Sequence, residues 1–128
     1  MRHFVAIARA LSDESRVRML MLLRDGELCL CQIIELIGLA PSTVSRHMTV
    51  LWQAGLVEIR KSGTWRYYRI PESENSAAVS GALHWAQIAL LKSPELLRDA
   101  KARKTIVKMD SRDLCARYKR RNSGEHNG

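Results

Sequence analysis

Pro41-Ser42-Thr43-Val44-Ser45-Arg46-His47-Met48-Thr49-Val50-Leu51-Trp52-Gln53-Ala54-Gly55 is the stretch that decides the fold. Pro41 suits the first turn of a helix, because the N–H it lacks would have had no partner there. Val44, Met48 and Leu51 recur at i, i+4 and i+7, which makes one buried stripe. Gly55 ends the helix. With the stripe turned inward, Ser42, Thr43, Ser45, Arg46 and His47 point outward near the N-terminal end. Any amphipathic helix carries a polar face, so the neighbours decide what this one is.

Upstream, the tripeptide Gly38-Leu39-Ala40 makes a tight turn after a short helix that runs from Cys29 or Leu30 to Ile37. Before it, Ser12 or Asp13 caps a helix over about residues 14–24, with Val17, Leu20, Met21 and Leu23 as its apolar stripe; Asp25-Gly26 stops it. A first helix covers about residues 2–11, with Phe4, Val5, Ala8 and Leu11 on one face. Downstream the period changes from 3.6 to 2. Val57 and Ile59, then Trp65, Tyr67 and Arg69, alternate with polar neighbours around Lys61-Ser62-Gly63-Thr64, which reads as a two-stranded hairpin with Gly at its tip. Pro71 closes the hairpin, and Glu72 to Ser76 link it to a helix over about residues 75–91, with Val79, Leu83, Ala86 and Leu90 on one side. Ser93-Pro94 interrupts, and a further helical stretch runs to about Val107. The rest is basic and polar, with a mobile end.

The expected fold is therefore mainly α with a β-hairpin wing, a winged helix-turn-helix in the order α-α-α-α-β-β-α. Residues 1–92 form the DNA-binding and dimerisation domain, and 93–128 a basic C-terminal extension, partly helical with a disordered end. In such folds the N-terminal end of the second helix of the motif enters the major groove. Hydroxyls and a guanidinium there match base edges and phosphates, so Ser42, Thr43, Ser45, Arg46 and His47 are the candidate reading residues. Arg60, Lys61 and Arg66 surround the hairpin tip, where a cationic loop follows the DNA backbone or enters the minor groove.

Charge supports this only weakly. The net +8 is unevenly placed: residues 1–97 hold 11 Lys and Arg against 9 Asp and Glu, while residues 98–128 hold 10 against 4. The excess sits in the tail, which fits a polyanion partner or plain solvation. A sequence-independent nucleoid or RNA-binding protein is the reading that the tail alone suggests. At 128 residues there is room for about one core, and no apolar run approaches the roughly 18 residues that would span a bilayer. The start is a poor signal peptide, its short apolar stretch broken by Arg9, so a soluble cytoplasmic protein without a membrane partner is expected. An enzyme finds no support: no phosphate-cradling loop follows a strand, and there is no CxxC motif.

Four stretches taken in order resemble the ArsR/SmtB family of metal- and metalloid-responsive repressors, most closely its arsenic-responsive branch. They are Glu27-Leu28-Cys29-Leu30-Cys31, Pro41 to Met48, Leu51-Trp52-Gln53-Ala54-Gly55-Leu56-Val57, and Gly63-Thr64-Trp65-Arg66-Tyr67-Tyr68-Arg69. The similarity covers about residues 5–92. It implies a homodimer built on the first and last helices of that stretch. It also implies a double-stranded operator with imperfect palindromic symmetry, released when a toxic ion binds, and no cofactor needed for folding.

The inducer implied is As(III) or Sb(III). An odd cysteine count, Cys29, Cys31 and Cys115, argues against a structural disulfide set in a reducing compartment and leaves free thiols. Soft thiolates select As(III), Sb(III), Cd(II), Pb(II) or Zn(II), and the first turn of a helix favours the thiolate. Residues two apart on a helix point about 200° from each other, so Cys29 and Cys31 share an ion only if the helix start is distorted. The arsenic branch has a further cysteine three residues on, where this chain has Ile34, and the zinc branch has ligands on the last helix, where only His84 matches. Cys115 is the remaining soft donor, which makes Cys29, Cys31 and Cys115 the candidate three-sulfur set. Other readings stay open: Cys115 as a spare thiol, Cys29 and Cys31 as small buried apolar residues, a Cd/Pb/Zn-responsive site, or a thiol-redox switch.

Overall fold

A computed structural model describes residues 1–72 and 76–126, with side chains as far as Tyr118. The helices are α1 (Arg2–Ala10), α2 (Glu14–Leu22), α3 (Leu30–Ile37), α4 (Pro41–Gln53), α5 (Ala77–Ala89), α6 (Pro94–Ile106) and α7 (Ser111–His126). The strands are β1 (Leu28–Cys29), β2 (Glu58–Ser62) and β3 (Trp65–Arg69). Parts of two expectations, the linker at 73–75 and the disordered end at 127–128, lie outside the described residues.

Local chemistry sets the boundaries. Asp13 caps α2 by accepting from the Arg16 N–H at 3.0 Å. Gly38 leaves α3 in the left-handed region at φ 77°, which turns the chain directly into Pro41 at the start of α4. Gly55, also left-handed at φ 78°, closes α4: the Leu56 N–H donates to Leu51 O and the Gly55 N–H to Trp52 O, the paired bonds of a Schellman cap. Between β2 and β3, Gly63 at φ 63° and Thr64 form a two-residue loop whose positive φ falls at the first central position. That is the type II′ pattern that suits strand twist.

The core lies where α2, α3 and α4 meet the sheet. Met19, Leu20, Leu23, Leu28, Ile33, Val44, Met48, Leu51, Leu56 and Tyr68 are all essentially inaccessible to solvent. Val44, Met48 and Leu51 are the stripe read from the sequence, now seen against α2 and α3.

Three features differ from the sequence reading. The wing is a three-stranded antiparallel sheet in the order β1-β3-β2, with Leu28 opposite Tyr68 and Cys29 opposite Tyr67. A strand of two residues has no alternation to betray it. On α1 the buried residues are Ile7 and Ala10, while Phe4, Val5 and Ala8 face outward, Phe4 at 69 % exposure. The helix is apolar on two faces, and only one packs on its own protomer. Finally, residues 111–126 form a helix, α7, docked on α3 through buried Leu114 and Tyr118. The Tyr118 hydroxyl donates to Glu35. α6 is fastened too: Arg18 makes a two-pronged pair with Asp99 at 2.9 Å, and Arg103 donates to the carbonyls of Leu22 and Gly26. The Asp99 carboxylate holds the Arg18 guanidinium above its ordinary pKa.

Candidate nucleic-acid interface and thiol site

α4 presents its candidate residues unequally. Ser42 and Arg46 are exposed, whereas Thr43, Ser45 and His47 are half-buried. Thr49 donates its hydroxyl to the Ser45 carbonyl at 3.0 Å, so this hydroxyl is spent on the helix itself. His47 is engaged rather than loose on the surface, with Nδ1 3.1 Å from Arg16 Nη1.

On the wing, Lys61 and Arg66 stand directly opposite each other beside the loop, both exposed. Arg60, one residue further from the tip, is turned away from it. Its guanidinium donates twice to Glu27, at 2.6 and 3.1 Å, and lies 4.3 Å from the centre of the Tyr67 ring. The hydrogen bond from Arg60 holds the Glu27 carboxyl below its ordinary range, against a smaller opposing effect of burial. Lys61 and Arg66 are thus the cations the wing tip offers, and Arg60 braces the sheet against the loop before β1.

The cysteines divide two and one. Cys31, in the first turn of α3, and Cys115, on α7, are paired as a disulfide with Cα atoms 5.2 Å apart. This corrects the expectation of three free thiols. The docking of Leu114 and Tyr118 sets Cys115, one residue after the first and three before the second, against the start of α3. Cys29 is free and buried. It ends β1 and caps α3: its N–H donates to Gln32 Oε1 at 2.9 Å, and its side chain accepts from the Gln32 backbone. All three cysteines line one groove, together with Ser42 and Ser45 of α4, Trp65 and Arg66 of the wing, and Arg112 of α7. Among the described residues no group of three or more His, Cys, Asp or Glu is close enough to hold a metal ion. Cys29 has an extended backbone (φ −80°, ψ 159°) just outside α3, whereas Cys31 lies within the helix.

Sequence reasoning missed Arg16, Glu27 and Glu35, the partners of His47, Arg60 and Tyr118. Each lies more than thirty residues from its functional neighbour or on an element the sequence did not show.

Comparison with known proteins agrees with the fold. A family model described as "Bacterial regulatory protein, arsR family" matches residues 13–58, which span α2, α3 and α4. The arsenic resistance transcriptional regulator ArsR2 of Pseudomonas putida is 31 % identical over 109 residues, covering 84 % of this chain and 90 % of that protein. ArsR1 of the same organism is 38 % identical over 65 residues; there the match spans about half of each protein, 50 % of this chain and 51 % of the relative. Among solved structures, the homodimeric winged helix-turn-helix DNA-binding domain Mb0332 from Mycobacterium bovis superposes with a TM-score of 0.58 at 28 % identity, over 75 % of this chain and 82 % of that one. The chain belongs to the ArsR family of bacterial regulatory proteins. Its fold is the winged helix-turn-helix, and the relatives it matches are transcriptional regulators. No helix among the described residues is long and apolar enough to cross a membrane.

Proposed function

We propose that this protein is a homodimeric repressor of an imperfectly palindromic operator, released when a thiophilic ion, arsenite or antimonite first, is captured by its cysteines. The observation that carries the reading is the meeting of Cys31 and Cys115 across 84 residues of sequence, in a groove that also reaches the reading helix and the wing. The similarity to arsenic resistance regulators supports the choice of ion.

In the reduced protein, Cys31 and Cys115 offer two thiolates to one ion, and Cys29, on the same groove, is the third sulfur. Recruiting Cys29 has mechanical consequences. The residue is at once the strand partner of Tyr67 in the wing and the cap of α3, which packs directly on α4. Pulling it toward Cys31 and Cys115 disturbs both DNA-contacting elements together. A coupling of about 1–3 kcal/mol is typical of such switches and lowers operator affinity roughly 5- to 150-fold.

DNA is held by Ser42, Thr43, Ser45, Arg46 and His47 on α4 and by Lys61 and Arg66 at the wing tip, with Arg60 in a bracing role. The dimer uses the outward apolar faces of α1 and α5, where Phe4, Val5, Trp85 and Ile88 are exposed in the protomer.

A second reading is favoured by the 5.2 Å Cα separation of Cys31 and Cys115, which lies within disulfide range. Oxidation of this dithiol by a peroxide, which is reduced to water or an alcohol as the S–S bond forms, removes the two thiolates the ion needs. One experiment separates the cases. An operator duplex is enriched from a random-sequence pool, and its release is followed by fluorescence anisotropy in the presence of reductant. Arsenite is expected to release it from the wild type and to leave it bound to Cys31→Ser. Equal release from Cys31→Ser contradicts the thiol site; in a parallel run without reductant, release by peroxide and none by arsenite favours the redox reading.

A further inference from the structure

Arg16, in the first turn of α2, reaches in three directions. Its Nε donates to Ala10 O at 3.1 Å and its Nη2 to Arg9 O at 2.9 Å, joining the Ser12 N–H and hydroxyl that also donate to Arg9 O at the C-terminal end of α1. Its Nη1 crosses to α4 and meets His47 Nδ1 at 3.1 Å. A guanidinium has five donors and no acceptor, so His47 Nδ1 must be the acceptor. A neutral imidazole that accepts at Nδ1 carries its proton on Nε2, at the opposite side of the ring. His47 sits between exposed Arg46 and buried Met48, half-open to solvent on the helix whose outer face carries Ser42.

We propose that Arg16 is a positioning residue for DNA reading: it locks His47 in the Nε2–H tautomer and so makes that N–H a donor to a base-edge acceptor, such as guanine N7 or O6, in the major groove. The proposal rests on α4 being the reading helix. It adds that the base preference of one α4 residue is set from α2 and, through Arg9 and Ala10, from the end of α1. A plainer role, in which the bond only fastens α2 to α4, predicts a different response to two substitutions. In His47→Asn the amide oxygen takes the place of Nδ1, which keeps the link to Arg16 but leaves nothing at Nε2. In His47→Gln the amide nitrogen takes the place of Nε2, and the link to Arg16 is lost.

The test selects duplexes from a random-sequence pool with wild type, His47→Asn, His47→Gln and Arg16→Gln. Alongside, imidazole 15N shifts of the free wild type and melting curves of all four are recorded. Wild type is expected to show the Nε2–H tautomer and a base preference that His47→Asn flattens at one base pair per half-site, by about tenfold to a hundredfold, without a change in melting temperature. His47→Gln is expected to restore part of that preference, and Arg16→Gln to lose it. The proposal is overturned if His47→Asn selects the same sequence with the same preference, or weakens binding uniformly as a phosphate contact would. A proton on Nδ1 in the free protein also overturns it. A wild type that enriches no sequence overturns the operator reading itself, and the proposal with it.

Discussion

Arg46 is the exposed guanidinium of α4, the proposed reading helix, two residues from buried Val44 and Met48, so its removal disturbs no packing. Arg46→Ala is expected to weaken duplex binding about tenfold to a hundredfold, with and without arsenite. Loss of binding only in the arsenite-loaded state contradicts that role. Glu27 makes a different kind of prediction. Chiefly because it accepts from Arg60, and against the opposing effect of burial, its carboxyl is held below the ordinary value of 4.5. A depressed value means the pair contributes stability that is whole above pH 4.5 and lost as the pH falls from there through the depressed value. The pair is well exposed, so the effect is small. Urea midpoints measured through this window are expected to fall more in wild type than in Glu27→Gln; parallel curves count against the assignment. At this scale the sequence displayed residue types but not aim. Arg60 looked like Lys61 and Arg66, its neighbours at the tip, and only the fold shows that Glu27 and Tyr67 claim it. His47 looked like any exposed histidine because its partner, Arg16, lies on another helix.

At the scale of elements, what was legible followed from periodicity and punctuation. α4 was plain because Pro41, the stripe Val44, Met48, Leu51 and the terminal Gly55 all agree. The hairpin was plain because the side-chain period changes at Leu56 and a glycine marks the tip. β1 was invisible: Leu28 and Cys29 gain strand geometry only by pairing with Tyr68 and Tyr67. α7 was hidden by charge. Its apolar anchors reduce to Leu114, Cys115 and Tyr118, too few for a stripe, and tertiary docking rather than amphipathicity holds it. That attachment is testable. Leu114 is fully buried, so Leu114→Ala is expected to cost the docked state about 2–5 kcal/mol. The readout is faster alkylation of Cys115 in the reduced protein, with duplex affinity in the absence of ion preserved. An unchanged alkylation rate contradicts the docking of α7 on α3.

At the scale of the whole molecule, large apolar side chains stay uncovered on two helices: Phe4 and Val5 on α1, and Trp85 and Ile88 on α5, with Trp85 at 64 % exposure. A proposed dimer through these faces places two copies of α4 to read the two halves of a palindrome. Trp85→Glu is expected to give monomers in light scattering and to weaken binding to a two-site duplex more than to a half-site. A dimer that survives Trp85→Glu moves the interface elsewhere. The sequence suggested this arrangement only through family resemblance. Within the chain, the α1 stripe reads as core, and which apolar face turns outward is decided by the packing of Ile7 and Ala10.

The central claim, that Cys31 and Cys115 jointly hold the inducer beside the reading head, is tested most directly by counting sulfurs around arsenic. Arsenite is titrated into the fully reduced protein and the arsenic–sulfur coordination number is read from X-ray absorption, for wild type and Cys115→Ser. Three sulfurs in the wild type and two in the variant are the predicted result. The same number in both proteins would remove Cys115 from the site and contradict the account.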